Sequence, residues 1–274
     1  MKACWFEVFG AAQDVLQQGD WPTPEPGPGE VLVQLQTTGV NPSDVKKRAG
    51  AFPDLLEAGP VIPHSDGAGV VTAVGEGVLP SRVGERVFVY QAQYGRQLGT
   101  AAEFVALDSA RAPVLPDNTS FEVGACIGIP IMTAHRCVFA DGPVADQLVL
   151  VTGGAGRVGH YAIQWAHRAG ARVIATASND QDAAACREAG AEAVVNHRKP
   201  EWGQAVLDLT EGQKVDRVID VEFGANLSEL LQCVRIGATI ATYSSTVVPE
   251  PSLPFRTMMF MDLTVRMVIV YAMP

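Results

Sequence analysis

The stretch Leu148-Val149-Leu150-Val151-Thr152-Gly153-Gly154-Ala155-Gly156-Arg157-Val158-Gly159 decides the fold of this 274-residue chain. Four consecutive apolar residues predict a buried strand, and Gly154, Gly156 and Gly159 form a G-x-G-x-x-G pattern directly after it. Glycines let the backbone turn tightly and approach a pyrophosphate, which meets the N–H groups at the start of the following helix. We therefore predict that residues 153–159 bind a dinucleotide. A glycine-rich loop without a ligand is the alternative.

The rhythm on both sides of this turn is strand, helix, strand, helix from about residue 120 onward. Such alternation predicts a parallel sheet with crossover helices. The predicted strands after the turn are 172–177, 193–195, 215–220 and 238–243, and the predicted helices are 158–169, 182–189, 202–209 and 227–234.

The first part of the chain is β-rich. Short apolar runs at 31–35, 69–74 and 86–90 lie between glycine and proline clusters, which predicts a compact barrel. Residues 21–29 contain four prolines and are expected to form an exposed connector. The sequence therefore predicts an α/β protein with a β-rich domain over 1–120 and a doubly wound parallel sheet over 121–274.

Composition excludes several classes of function. The net charge of −10 and the pI near 4.9 disfavour nucleic acids and anionic membranes as partners. The N-terminus has no apolar signal stretch, and no apolar run reaches the ~18 residues of a membrane span. Five cysteines without a C-x-x-C pair fit reduced thiols. We expect a cytoplasmic protein.

The residues that follow the second strand bear on the choice of nucleotide. NAD sites commonly place an acid there, about 20 residues after the glycines, on the ribose 2′-hydroxyl. Ser178 and Asn179 stand at this point instead, which leaves room for NADP, with Arg198 as a third candidate contact for a 2′-phosphate. Asp180 and Asp182 argue in the opposite direction. Ordinary loop polar residues are the alternative.

Several motifs occur together in one order along the chain. They are Gly39–Asp44 (GVNPSD), Asp66–Gly77 (DGAGVVTAVGEG), Val83–Val87 (VGERV), Gly99–Val105 (GTAAEFV), Pro130–Ala134 (PIMTA) and the glycine turn. With these motifs the chain resembles the quinone oxidoreductase (zeta-crystallin-like) branch of the medium-chain dehydrogenase/reductase superfamily. The resemblance covers essentially the whole chain.

The resemblance implies a GroES-like catalytic domain followed by a Rossmann domain. It also implies NADPH as hydride donor, a homodimer, and a small-molecule substrate, a quinone or an α,β-unsaturated carbonyl compound. Asn41 and Asp44 match polar residues near the nicotinamide, and Thr133 matches a cofactor contact. The structural alternatives are a turn residue for Asn41, a helix cap for Asp44 and helix packing for Thr133.

The chain departs from the family pattern at three positions. Two family tyrosines are replaced by Lys46 and His197, and a family lysine is replaced by Asp182. These changes leave NADH possible as the cofactor. We keep Lys46 as a candidate donor to the substrate oxygen, and His197 and Arg198 as candidate cofactor contacts.

The positions of the catalytic zinc ligands in zinc-dependent relatives match Asn41 and Ser65, which are not a plausible ligand set. We therefore expect no metal. His64, beside Ser65, is interpreted as a loop or core histidine.

Three functions remain open: an NADPH-dependent quinone or enone reductase, another zinc-free oxidoreductase of the same fold, and a non-catalytic dinucleotide-binding or structural protein. Relatives continue beyond the position of Pro274, so we expect a truncated chain. The apolar stretch 258–271 is predicted to end in a strand. That strand either extends the sheet across a two-fold dimer or lies inside the sheet.

Overall fold

The computed structural model describes residues 1–272, and the truncation expected at Pro274 lies outside them. The chain divides into two compact units, of which the first comprises Met1–Ile129 and the second begins at Pro130.

The first unit is built mainly from antiparallel strands. Its elements are β1 (Lys2–Trp5), α1 (Ala12–Val15), β2 (Gln17–Asp20), β3 (Glu30–Gly39), α2 (Pro42–Arg48), β4 (Asp66–Val74), β5 (Arg86–Val89), β6 (Phe104–Asp108) and α3 (Phe121–Gly124). Short 3-10 turns lie at 53–56, 80–82 and 109–111. A four-stranded sheet has the order β5-β4-β3-β6, and β1 pairs with β2.

The core of the first unit follows from alternation along its strands. Val31 and Val33 of β3 are buried, and they pack with Val71 of β4 and Val87 of β5. In a strand, side chains two apart share a face, so β-branched residues at that spacing form one apolar layer. The pairing of β3 with β4 also brings Gly39 opposite Asp66.

The second unit alternates between strands and helices. Its elements are β7 (Leu148–Val151), α5 (Arg157–Arg168), β8 (Arg172–Ala177), α6 (Asp180–Glu188), β9 (Ala193–Asn196), α7 (Trp202–Leu209), β10 (Val215–Asp220), α8 (Phe223–Cys233), β11 (Val234–Thr242), α9 (Phe255–Phe260) and β12 (Thr264–Met267). Helix α4 (Gly128–Phe139) begins just before it. The six strands have the order β12-β11-β10-β7-β8-β9, and every neighbouring pair is parallel.

This sheet is covered on both faces, as parallel sheets require. Val149 and Val151 face a core shared with α4 and α5, whereas Leu148 and Leu150 face a core shared with α7 and α8. The predicted fold class, a Rossmann sheet preceded by a GroES-like β-rich region, is confirmed. Among the described residues no helix is long and apolar enough to cross a membrane.

The apolar composition of residues 258–271 predicts a strand at the end of this region, and the structure differs. The helix α9 continues to Phe260, β12 contains four residues, and a 3-10 turn follows at Val270–Ala272. Asp262 has φ +49 and reverses the chain between α9 and β12, which composition alone does not indicate. The strand β12 lies at the edge of the described sheet.

Candidate functional site

The glycine turn is held by the strand next to it. Gly153 has φ +61, a backbone conformation that glycine adopts without strain. Its N–H donates to Thr176 Oγ1 at 3.0 Å, and the N–H of Gly154 donates to the Thr176 carbonyl at 2.9 Å. Thr176 at the end of β8 therefore fixes the path of the turn.

Two glycines of the turn have no space for a side chain. A Cβ on Gly154 would lie 2.8 Å from Cys186 Sγ and 2.9 Å from Ala175 Cβ. A Cβ on Gly159 would overlap the carbonyl oxygen of Gly153. These contacts confirm the strand, turn and helix context that the glycine pattern predicts, since they let α5 pack closely against the sheet.

The start of α5 follows directly from the glycine turn. Gly156 is the N-cap residue, and its own N–H donates to the Gly153 carbonyl at 2.9 Å. The N–H groups of the first helical turn, Arg157 to Gly159, have no acceptor within the helix. Gly156 and Arg157 are exposed. The positive end of a 12-residue helix suits a phosphate group.

A buried carboxylate supports the turn from its other side. Thr152 Oγ1 donates to Asp220 Oδ1 at 2.8 Å and accepts from the N–H of Val221 at 3.0 Å. Asp220 also accepts from Asn226 Nδ2 at 2.8 Å and from Thr242 Oγ1 at 3.2 Å. Burial raises the pKa of Asp220 although these hydrogen bonds oppose the shift. The cluster joins β7, β10 and β11 directly below the turn.

The residues after β8 form a polar corner, with Asp182 at its centre. Ser178 Oγ and Asn179 Nδ2 donate to Asp182 Oδ2 at 3.0 and 2.8 Å. Asn179 Oδ1 in turn accepts from the N–H of Asp182 at 2.9 Å and so caps α6. Two of the three side chains predicted to bind a 2′-phosphate, Ser178 and Asn179, are therefore held by a carboxylate.

His197 and Arg198 lie beside this corner. The N–H of His197 donates to the Ala177 carbonyl at 3.2 Å, and Asn196 Nδ2 donates to the Ser178 carbonyl at 3.4 Å. Burial lowers the pKa of the half-buried His197, and the neighbouring Arg198 lowers it further. The imidazole of His197 is therefore neutral at neutral pH. The side chain of Arg198 is exposed.

The first unit contains a second polar cluster, around Asn41. Asn41 Nδ2 donates to Asp66 Oδ2 at 2.8 Å, and the backbone N–H of Asn41 donates to Asp44 Oδ2 at 2.8 Å. The N–H of Ile129 donates to Asp66 Oδ2 at 2.9 Å. Asn41 is thus the N-cap residue of α2, and Asp44 binds back to it from the third helical position.

Burial dominates the electrostatics of this cluster. It raises the pKa of Asp66 to about 7 and that of Asp44 to about 6, because the charged form of a carboxyl is disfavoured away from water. One oxygen of each carboxyl, Oδ1, has no hydrogen-bond partner within residues 1–272. Burial also lowers the pKa of Lys47, whose Nζ donates to Gln93 Oε1 at 2.6 Å.

The remaining predicted site residues occupy different environments. Lys46 is exposed on α2, whereas Asp44 and Lys47 on the same helix are buried. Thr133 is buried within α4. Within the first unit the structure thus joins Asn41 and Asp44, and it leaves Lys46 on another face of the helix.

Asp66, Thr176 and Asp220 are site residues that the sequence did not single out. Asp66 begins the strand β4, Asp220 ends the strand β10, and Thr176 is a hydroxyl residue among the buried residues of β8. A polar side chain within an otherwise buried strand is the local signal that marks such positions, because burial requires a partner for each polar group.

Residues 27–117 match the family described as alcohol dehydrogenase GroES-like domain, and residues 158–274 match the family described as zinc-binding dehydrogenase. The quinone oxidoreductase of Rattus norvegicus is 31% identical over 241 residues, which cover 88% of this chain and 72% of that protein. The chain belongs to the quinone oxidoreductase branch of the medium-chain dehydrogenase/reductase superfamily. It is therefore an oxidoreductase, as the sequence predicts.

Other members of the superfamily match over similar lengths. The quinone oxidoreductase of Pseudomonas aeruginosa is 30% identical over 252 residues, or 90% of this chain and 74% of that protein. A mycobacterial protein solved in complex with NADPH superimposes with a TM-score of 0.85 at 30% identity, covering 99% of this chain and 82% of that one. The chain is thus shorter than these quinone oxidoreductases.

The zinc in the family description raises the question of a metal site. Catalytic zinc in proteins is held by thiolate, imidazole or carboxylate ligands. The positions that the sequence resemblance assigns to zinc ligands hold Asn41, whose amide nitrogen donates to Asp66, and the buried Ser65. Among the described residues no group of three or more His, Cys, Asp or Glu could hold a metal ion. The residues present do not fit a catalytic zinc.

His64 makes contacts that do not involve a metal. Its Nδ1 lies 3.0 Å from Thr38 Oγ1, and burial lowers its pKa. Thr38 Oγ1 also lies 2.7 Å from Thr100 Oγ1, which donates to the Asp66 carbonyl at 2.6 Å. These bonds position the loop before β4, in accord with the interpretation of His64 as a loop histidine.

Proposed function

We propose that this quinone oxidoreductase homologue is an NADPH-dependent reductase that transfers hydride to a quinone or an α,β-unsaturated carbonyl compound without a metal. The observation that carries the proposal is the turn at 153–159, which leads from β7 into the N-terminus of α5 and has no space for a Cβ at Gly154 or Gly159. The mycobacterial neighbour that binds NADPH and the curated quinone oxidoreductases support the choice of cofactor and substrate.

The turn would hold the pyrophosphate. Residues 153–159 lead into the first turn of α5, where Gly156 is exposed and Arg157 adds a positive charge. The adenosine ribose would lie near the C-terminal end of β8, surrounded by Ser178, Asn179, His197 and Arg198. Thr133 remains a proposed cofactor contact on α4.

Bound NADPH supplies the hydride from its nicotinamide ring, and transfer of that hydride with one proton converts a quinone into a hydroquinone. The work of the protein is then to orient the reactants and to exclude water. Negative charge develops on the substrate oxygen, so hydrogen-bond donors should stabilise it. We assign this task to Asn41 or Lys46, with Asp44 fixing the backbone of Asn41, and solvent supplies the proton.

A homodimer is the proposed assembly. The edge strand β12 pairs only with β11 among the described strands, and Met267 on it is 73% exposed. Phe255 and Phe260 on the adjacent α9 are each 71% exposed. Apolar surface of this kind next to a free sheet edge favours extension of the sheet across a two-fold axis. A light-scattering mass equal to one 29.1 kDa chain would contradict this assembly.

The function is tested by titrating the protein with NADPH and with NADH, then following nicotinamide absorbance after addition of 1,4-benzoquinone. We expect saturable binding and absorbance decay that depends on enzyme concentration. Binding without decay on benzoquinone or on enone substrates would contradict the reductase function and leave a dinucleotide-binding protein. Failure to bind either nucleotide would contradict both the reductase function and the dinucleotide-binding function.

A further inference from the structure

The carboxylate of Asp182 lies in the first turn of α6, close to the end of β8 where the adenosine ribose of a bound dinucleotide would lie. Its Oδ2 atom accepts hydrogen bonds from Ser178 Oγ and Asn179 Nδ2, at 3.0 and 2.8 Å. Asn179 Nδ2 also lies 3.2 Å from Ser178 Oγ, so the three side chains form one closed group. Two of the three candidate contacts of a 2′-phosphate, Ser178 and Asn179, are therefore engaged by a negative charge.

The strand order fixes the location of this group. In Rossmann sheets the adenosine ribose lies at the carboxyl end of the strand that follows the phosphate turn and its helix. That strand is β8, which ends at Ala177 and pairs with β7 in parallel. Ser178 and Asn179 follow it directly, and Asp182 lies in the first turn of α6.

The charges around this corner do not offset the carboxylate. Asp180 adds a second negative charge in the same helical turn. His197 is neutral at neutral pH because burial lowers its pKa. Arg198 and Lys199 are the neighbouring cations, and both side chains are exposed to solvent. Solvent screens the attraction of these exposed cations for a phosphate, whereas Asp182 is only partly exposed and its charge is screened less.

We propose that Asp182 determines how this chain discriminates between NADPH and NADH, by weakening the binding of the 2′-phosphate. The proposal rests on the dinucleotide function proposed above. With NADPH the 2′-phosphate must displace the bonds of Ser178 and Asn179 to Asp182 and approach its charge. With NADH the ribose hydroxyls can join the same hydrogen-bonded group without a clash of charges.

The test is Asp182→Asn, which keeps the size and the acceptor oxygen of the side chain and removes its charge. Asp180→Asn is the matched control, since it removes an exposed charge from the same helical turn. Dissociation constants for NADPH and NADH are measured by nicotinamide fluorescence for the wild type and both variants. We expect Asp182→Asn to tighten NADPH binding about tenfold, with NADH changed less than about twofold.

Competition with small fragments locates the effect. Adenosine 2′,5′-bisphosphate should gain affinity on Asp182→Asn by the same factor as NADPH, whereas 5′-AMP should not. A second variant, Asp182→Ser, also removes the charge and should move the NADPH to NADH ratio in the same direction. Circular dichroism and unfolding midpoints establish that each variant is folded.

Two results would overturn the inference, and they differ from each other. If the proteins bind both nucleotides and neither Asp182 variant moves the ratio beyond the Asp180→Asn control, Asp182 has no role in discrimination and the dinucleotide function stands. If the folded wild type and variants bind neither nucleotide nor fragment, the proposed function fails and this inference fails with it.

Discussion

The side-chain amide of Asn41 donates a hydrogen bond to the carboxyl of Asp66, with 2.8 Å between Nδ2 and Oδ2. Asp66 is 1% exposed and also accepts from the N–H of Ile129. A buried carboxyl that accepts two hydrogen bonds fixes the orientation of its donors. Burial also removes hydration from the carboxyl and so disfavours its charged form. The same residue therefore positions Asn41 and makes the stability of the protein depend on pH.

The first prediction concerns this pH dependence. Asp66 and Asp44 have ordinary pKa values of 3.8 and folded values of about 7 and about 6. The folded chain therefore binds more protons than the unfolded chain in this window. Stability contributed by the protonated groups is present below pH 3.8 and is lost as the pH rises to about 7. Between pH 5 and 8, the free energy of unfolding of the wild type should therefore change by about 1 kcal/mol or more in excess of the change in Asp66→Asn.

Urea unfolding of the wild type and Asp66→Asn at pH 5 and pH 8 measures the difference. Asp117→Asn, at a fully exposed side chain, is the control and should retain the wild-type pH dependence. Equal pH dependence in Asp66→Asn and the wild type would show that Asp66 titrates normally.

The second prediction separates two glycines of the turn. Gly159→Ala would push a Cβ into the Gly153 carbonyl, so we expect both a loss of about 1–3 kcal/mol of stability and a loss of nucleotide binding. A Cβ on Gly156 meets protein only at the Gly153 carbonyl oxygen, at 3.1 Å, and Gly156 is exposed. Gly156→Ala should stay folded and weaken nucleotide binding. Thermal unfolding and fluorescence titration with nucleotide distinguish the two variants. Wild-type nucleotide affinity in both variants would exclude the turn as the nucleotide-binding site.

The third prediction concerns Arg198. As an exposed cation beside Ser178 and His197, it should contribute to binding of a 2′-phosphate and not to binding of a ribose hydroxyl. We expect Arg198→Gln to weaken NADPH binding about fivefold, corresponding to about 1 kcal/mol, and to leave NADH unchanged. Lys199→Gln is the control for general loss of charge. An equal effect on both nucleotides would exclude a contact with the 2′-phosphate.

The fourth prediction concerns a buried arginine in the second unit. Arg217 is 4% exposed, and its guanidinium donates to the carbonyls of Val138, Asp141 and Gly142 at the end of α4. Arg217→Met would leave these carbonyls without their donor, so we expect a loss of about 2–4 kcal/mol. Arg235→Met, which breaks a surface pair with Asp216, should cost less than about 1 kcal/mol. Urea unfolding of both variants measures the loss of stability. Similar losses in Arg217→Met and Arg235→Met would contradict the prediction.

Local patterns in the sequence predicted much of the second unit. The strands β8 and β10 and the helix α7 have the predicted bounds, 172–177, 215–220 and 202–209. Their ends are marked by glycines or by polar residues next to apolar runs. The helix α8 begins at Phe223 and not at Leu227, because the N–H of Phe223 donates to the carbonyl of Ser244, a contact between residues far apart in the chain.

The candidate site was harder to predict for the same reason. The glycines are recognised from spacing alone, whereas Asn41 reaches Asp66 only because β3 and β4 pair in the register that sets Gly39 opposite Asp66. Asp182 illustrates the same point. The sequence places an acid near Ser178 and Asn179, but only the structure shows that one oxygen accepts from both side chains.

The support of the glycine turn has a consequence for the order of folding. Its partner on one flank, Thr176, is 23 residues from Gly153, and its partner on the other, Asp220, is 68 residues from Thr152. Closing the longer loop requires β10 to dock beside β7, and contacts of long sequence separation form late in folding. We therefore expect the glycine turn to become rigid only after the two halves of the sheet have joined. A nascent or partly folded chain should bind nucleotide poorly, and added nucleotide should slow unfolding without accelerating the earliest step of refolding.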